Sequence, residues 1–171
     1  MAARLLKHFL FSSFLALQVT TANAQSSEYL IPADHSTITE AIRSSQSDLV
    51  LVNMWATWCS PCLEEFPELV EIYSIWSEAG TELLFVSVDF EEQYSDAVQF
   101  LRTQGWERPS FFKQEADHPF VDGISTDWSG AIPATFLFGN TGQLYWMTES
   151  QTTFAELDSV LTHYSTIVRS E

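Results

Sequence analysis

The chain has 171 residues, 46% of them apolar and 14% aromatic, which suits one domain with a substantial core. Seven basic side chains face 23 acidic ones, a formal net charge of −16, which argues against nucleic acid as a partner and sets the surface against an anionic membrane. The same charge attracts a basic protein at long range and serves solubility as well.

Arg4 and Lys7 precede an apolar stretch from Phe9 to about Val19, and Ala22-Asn23-Ala24 then fits the small-x-small pattern that signal peptidase reads. Residues 1–24 are therefore expected to be a signal peptide cleaved after Ala24, with an uncleaved N-terminal anchor as the alternative. The stretch is short for a membrane span, and no cysteine follows it to carry a lipid. No later segment is long and apolar enough to insert, so no direct membrane insertion is expected of the mature domain. Export implies an oxidising compartment where disulfides persist.

Residues 25–35 read as an extended N-terminal arm. Thr37-Ile38-Thr39-Glu40 has the form of a capping box opening a short helix, with Ile38, Ala41 and Ile42 inward. Leu49 to Trp55 lacks the alternation of a half-exposed strand and is expected to be central and buried. From Leu63 to about Glu78 a helical period places Phe66, Leu69, Val70, Tyr73 and Trp76 inward, with Glu64, Glu68 and Glu71 solvated, Pro67 as a kink and Gly80 as terminator. Leu83 to Asp89 is a second buried strand. Tyr94 to Thr103 is a helix burying Ala97, Val98 and Leu101, closed by Gly105. Pro109 to Lys113 suits a short strand. Gln114 to Ser129 is the least readable stretch, with a helical turn around Pro119 to Asp122. Thr135 to Gly139 and Gln143 to Met147 flank Gly139-Asn140-Thr141-Gly142 as a β-hairpin. Phe154 to Val168 is a closing helix with Leu157, Val160, Leu161 and Ile167 inward. The order implies an α/β domain, a parallel part built from βαβ units followed by an antiparallel hairpin.

Cys59 and Cys62 are the only cysteines. They lie where the strand ending at Trp55 feeds a helix, and this junction makes them a redox centre rather than a staple. A helix N-terminus offers unpaired N–H groups and favours the thiolate of the first cysteine. Two intervening residues allow a small disulfide ring, and so short a loop constrains the unfolded chain little. Pro61 suits the first helical turn. A zinc site needs four ligands, and His35, His118 and His163 are not paired at ligand spacing. No metal site is expected, although two thiolates also suit cuprous ion.

The segment Val52-Asn53-Met54-Trp55-Ala56-Thr57-Trp58-Cys59-Ser60-Pro61-Cys62-Leu63-Glu64-Glu65-Phe66-Pro67 resembles the active-site segment of the TlpA/ResA-like branch of the thioredoxin superfamily. Ile132-Pro133-Ala134-Thr135-Phe136 resembles that family's cis-proline loop. The resemblance implies a thioredoxin-like three-layer fold over residues 36–171, with a central mixed β-sheet flanked by helices, and a periplasmic thiol–disulfide oxidoreductase. In that reading Cys59 is the nucleophile and Cys62 the resolving thiol, and no cofactor is needed beyond the redox-active Cys59–Cys62 disulfide. The partners implied are a protein substrate with a disulfide or thiols and a membrane electron donor, with apocytochrome c as a common client of the family.

Glu65 lies three residues after Cys62 and so on the same helix face. The resemblance implies a buried acid there that exchanges protons with the Cys62 thiol. Asn53 occupies the position where ordinary thioredoxins carry an aspartate, and it cannot titrate. Pro133 is the expected cis-proline, placing the Ile132 backbone to pair with an extended substrate strand. Trp58, Ser60 and Pro61 complete the expected substrate-binding surface. Trp55 is expected in the core and Trp106, Trp128 and Trp146 as packing, with Trp128-Ser129-Gly130 also leading into the Pro133 loop where it would shape the substrate groove. Leu63 and Glu64 depart from the basic residues that relatives often carry after the second cysteine, which puts the usual partners in question. The absence of histidine between the cysteines leans the pair toward reducing potential. A disulfide oxidase or isomerase, a copper-delivery module and a redox-inactive peptide-binding domain remain alternatives.

Overall fold

Leu49, Leu51 and Trp55 face one hydrophobic cluster, while Val50, Val52 and Met54 face another. A strand covered on both faces cannot alternate apolar with polar, so the uninterrupted run is explained. The structure, a computed structural model, describes residues 29–169. The signal peptide expected over residues 1–24 lies outside the described residues.

In chain order the elements are β1 (Leu30–Ala33), α1 (His35–Ser44), β2 (Leu49–Trp55), α2 (Ser60–Trp76), β3 (Thr81–Ser87), α3 (Tyr94–Thr103), β4 (Ser110–Lys113), α4 (Asp117–Ile124), β5 (Ala134–Gly139), β6 (Leu144–Thr148) and α5 (Phe154–Val168). The sheet order is β1-β4-β3-β2-β5-β6. Strands β1 to β4 run parallel to their neighbours, and the β5–β6 hairpin joins β2 antiparallel, with Asn53 opposite Thr135. Helices α2, α3 and α5 cover one face through Phe66, Leu69, Ala97, Leu101, Leu157 and Leu161. Helices α1 and α4 cover the other through Ile38, Ile42 and Phe120. This is the three-layer mixed-sheet arrangement expected.

Several local expectations are corrected. The stretch read as an arm is extended over Leu30–Ala33, but it is the edge strand of the sheet, paired with Ser110–Lys113. Helix α1 begins at His35, capped by Asp34 rather than by a Thr37–Glu40 box; the Asp34 carboxylate accepts the Thr37 amide at 2.8 Å. Hydrogen bonds from the Ser36 hydroxyl and from Thr37 hold that carboxyl down at about 2. Aspartate in this place outcompetes threonine because its oxygen reaches three donors at once. Helix α2 starts at Ser60, continues through Pro67 and ends in a short 3₁₀ turn before Gly80, whose φ of 91° closes it. Val70, Tyr73 and Trp76 pack inward against the core as expected, though half-buried, and Ile72, not expected there, is buried beside them. Glu68 is not merely solvated, since its carboxylate accepts the Phe154 amide at 2.6 Å and ties α2 to the start of α5. Strand β3 sits two residues earlier than expected, so Val88 and Asp89 lie beyond it. The unreadable stretch contains α4, whose only fully buried side chain is Phe120, too little periodicity to announce a helix. Ile167, expected inward, is 36% exposed at the end of α5.

Candidate active site

Cys59 and Cys62 are joined in a disulfide at the mouth of α2, with Cα atoms 5.3 Å apart. Cys59 is the N-cap residue of the helix, and its Sγ accepts the Cys62 amide at 3.3 Å. A turn closed by the Cys59 amide on the Ala56 carbonyl brings the chain out of β2 and into α2. Pro61 lies in the first helical turn, where its missing N–H costs no bond. Cys59 keeps 5% of its surface exposed and Cys62 none. The sulfur aligned with the helix N-terminus is thus also the one nearer to solvent, and the amides there favour a thiolate on it.

Around the disulfide the expected surface residues divide clearly. Trp58 is 52% exposed, and Ser60 and Pro61 are exposed beside it. The Ile132–Pro133 peptide bond is cis, Pro133 is buried, and Ile132 is half-buried. Trp58 and Ile132 line one cleft of about 1090 Å³. Trp55 is buried against Phe66 and Phe100, as expected of core. Trp128 is buried, and its indole N–H donates to the Ala131 carbonyl at 2.8 Å, which shapes the loop entering Pro133.

Glu65 is fully buried in α2. Its carboxylate accepts the Asn53 side-chain amide at 2.9 Å on one oxygen. The other oxygen accepts the Thr152 backbone amide at 2.7 Å and the Thr152 hydroxyl at 3.1 Å. Asn53 also donates to the Thr135 hydroxyl at 3.0 Å. Burial pushes the Glu65 carboxyl above its ordinary value, and the three hydrogen bonds partly oppose that rise. Asn53, set aside as unable to titrate, therefore holds the acid in place. Glu64 is exposed and meets only the Ser60 hydroxyl at 3.4 Å.

Three features escaped the sequence. Asp89 is buried just after β3, and its carboxylate accepts the Thr57 amide at 2.8 Å, the Thr57 hydroxyl and the Ser87 hydroxyl. It pins the turn that leads into Cys59. Phe90, 67% exposed, stacks on Trp58 with ring centres 6.4 Å apart. An acid closing an apolar strand run, followed by an exposed aromatic, was the available signal, since ligands gather at the carboxyl ends of parallel strands. Thr152 had no signal, because it meets Glu65 only through the tertiary fold. Among the described residues no cluster of His, Cys, Asp and Glu has the form of a metal site.

A thioredoxin-like domain with its disulfide at the N-terminus of α2 and a cis-proline just before β5 is what fold and site together define. The AhpC/TSA family model matches residues 31–147, and the chain belongs to the AhpC/TSA family. Among curated proteins it is similar to the thiol–disulfide oxidoreductase ResA of Geobacillus thermodenitrificans, 30% identical over 95 residues, covering 56% of this chain and 51% of that protein. It is also similar to ResA of Bacillus subtilis strain 168, 29% identical over 110 residues, covering 62% of this chain and 58% of the relative. The chain spans about half the length of the curated relatives it matches. These matches bear out the resemblance to the ResA-like family. Among solved structures, a thiol:disulfide interchange protein of Chlorobium tepidum TLS aligns with a TM-score of 0.58 at 19% identity, covering 74% of this chain and 84% of that one. A secreted thiol–disulfide isomerase of Corynebacterium glutamicum aligns at 0.56 and 24% identity, covering 71% of each chain. At these identities the structural likeness shows the fold alone.

Proposed function

We propose that the protein is a thiol–disulfide oxidoreductase acting on protein substrates outside the cytoplasm, working as a reductase. The observation that carries this reading is the Cys59–Cys62 disulfide at the mouth of α2, with Cys59 the more accessible sulfur beside the exposed Trp58. The ResA relatives support the same chemistry, and the secreted Corynebacterium neighbour fits an exported site of action. No helix among the described residues is long and apolar enough to cross a membrane.

In the reduced protein the Cys59 thiolate attacks one sulfur of a client disulfide. A Cys59–client bond forms, the client S–S bond breaks, and the departing client sulfur takes a proton. The Cys62 thiol passes its proton to Glu65, and its thiolate attacks Cys59 Sγ. The intramolecular disulfide closes and the second client thiol leaves, so two electrons pass from the Cys59–Cys62 pair to the client. A dithiol donor restores the pair; a membrane-bound one suits the exported location. Maturation of cytochrome c, which requires reduced cysteines, is one process this reaction serves.

Insulin-disulfide reduction with dithiothreitol tests the reading. Wild type accelerates the reaction, Cys59→Ser does not, and Cys62→Ser accumulates a client mixed disulfide. Equal rates for wild type and Cys59→Ser would end the catalytic claim.

A further inference from the structure

The cleft of about 1090 Å³ lies at the upper end of the roughly 300–1,000 Å³ of small-molecule sites, room enough for a peptide segment. It opens at the carboxyl ends of the parallel strands. Its lining includes Trp58, the chain neighbour of Cys59, the Val88–Glu91 segment that follows β3, and Phe112 to Glu115 at the end of β4. Helix α4, the Trp128–Gly130 segment and Ile132, which precedes the cis-proline, also line it. An extended chain seated against Cys59 and the Ile132 backbone therefore runs on into this space.

We propose that the cleft docks the part of a client polypeptide that flanks its reactive cysteine, and selects clients with lysine or arginine there. The proposal rests on the oxidoreductase reading above and names its substrate class.

Charge and aromatic placement carry it. Five carboxylates line the cleft against one lysine and one histidine. Lys113 is already committed, since its ammonium lies 2.8 Å from Asp117 and donates to the Glu115 carbonyl at 2.9 Å. Asp89 is turned inward to Thr57 and Ser87, and Glu115 accepts from His35. Asp122, beside His118 at 3.0 Å, keeps over half its side chain exposed, and Glu91, which also lines the cleft, is exposed. The lining is therefore negative even with His118 charged. Beside Glu91, the exposed Trp58 and Phe90 faces offer the apolar contact and ring charge that suit a cationic side chain with a long aliphatic stem. Acidic residues in the same client segment would meet like charge, which discriminates as effectively as attraction.

The test uses two disulfide-linked peptides, identical except that lysines or glutamates flank the cysteine, reduced by the pre-reduced wild-type protein. The lysine peptide should react about tenfold faster at low salt, with the gap narrowing as salt rises. Glu91→Lys combined with Asp122→Lys should abolish or invert the preference. Equal rates on both peptides, while 2-hydroxyethyl disulfide is reduced normally by wild type, would overturn the docking proposal and leave the oxidoreductase reading standing. So would a preference that survives the double reversal. Failure to reduce even 2-hydroxyethyl disulfide would strike the oxidoreductase reading instead. Docking is then decided by anisotropy of labelled, cysteine-free versions of the two peptides on Cys59→Ser/Cys62→Ser, where tighter binding of the lysine peptide supports it and equal binding overturns it.

Discussion

The Glu65 carboxylate in α2 accepts the backbone amide of Thr152 at 2.7 Å, joining residues 87 positions apart in the chain. The bond ties the redox helix to the segment that enters α5, and it places a titratable group inside the core one helical turn from Cys62. The energetics of the acid reflect both its burial and its three donors.

Burial raises the Glu65 pKa above its ordinary 4.5. A carboxyl held higher in the folded chain than in the unfolded one binds its proton more tightly when folded. Its contribution to stability is therefore complete below the unfolded value and is lost as pH rises through the folded one. Glutamine does not titrate, so the stability of wild type relative to Glu65→Gln should fall as pH is raised from about 4 to about 8. Urea unfolding of both proteins across that range measures it, and a difference independent of pH would contradict the assignment.

If Glu65 takes the Cys62 proton, its loss should slow resolution and spare the first attack. Glu65→Gln should release client from the Cys59 mixed disulfide on the order of 10²-fold more slowly, while forming that adduct at a rate close to wild type. Rapid-quench trapping with alkylation separates the two steps, and equal slowing of both would assign Glu65 a purely structural part.

The buried Asp89 holds the turn before Cys59 by bonds from Thr57 and Ser87. Asp89→Ala strands those donors and should cost about 1.5–3 kcal/mol of stability, the range for hydrogen bonds to charged groups. Chemical denaturation checks the value; a loss under about 0.5 kcal/mol would show that the turn holds without it.

Phe66 stacks on Phe85 at 4.0 Å between ring centres and meets Trp55 and Phe100 edge-on. Phe66→Ala should destabilise by about 3–5 kcal/mol through lost burial and the cavity left behind. The measured cost reports how rigidly the core beneath the disulfide is packed.

A reductase should show a reduction potential more negative than about −230 mV, whereas a strong oxidant lies near about −120 mV. Equilibration of Cys59–Cys62 with glutathione gives the number, and a value at the oxidising end would reverse the proposed direction of electron flow.

How far each part was legible depended on the range of the forces involved. The β2 run, the helical spacing of Phe66 and Leu69, the Pro61 placement and the β5–β6 turn are local patterns, and they marked the strand–cysteine–helix junction from the chain alone. The Thr153 and Glu156 side chains cap α5 from within four residues of sequence, a local pattern that the reading of the chain passed over. Helix α4 stayed hidden because a surface helix with one deeply buried side chain has no stripe to read. The cap of α1 was misplaced because aspartate and threonine both suit the position, and only the reach of their oxygens chooses between them.

By itself the amino-acid order determined the chemistry: two thiols in a ring of fixed spacing at a helix start, and an acid one turn later on the same face. The tertiary structure alone decided the surroundings. Asn53 and Thr152 converge on Glu65 from β2 and from the segment before α5, Asp89 reaches back to Thr57, and Phe90 stacks on Trp58 above the acidic cleft. Periodicity and caps act over a few residues and leave marks in the sequence. Hydrogen bonds and stacking between distant segments exist only once the sheet order brings those segments together.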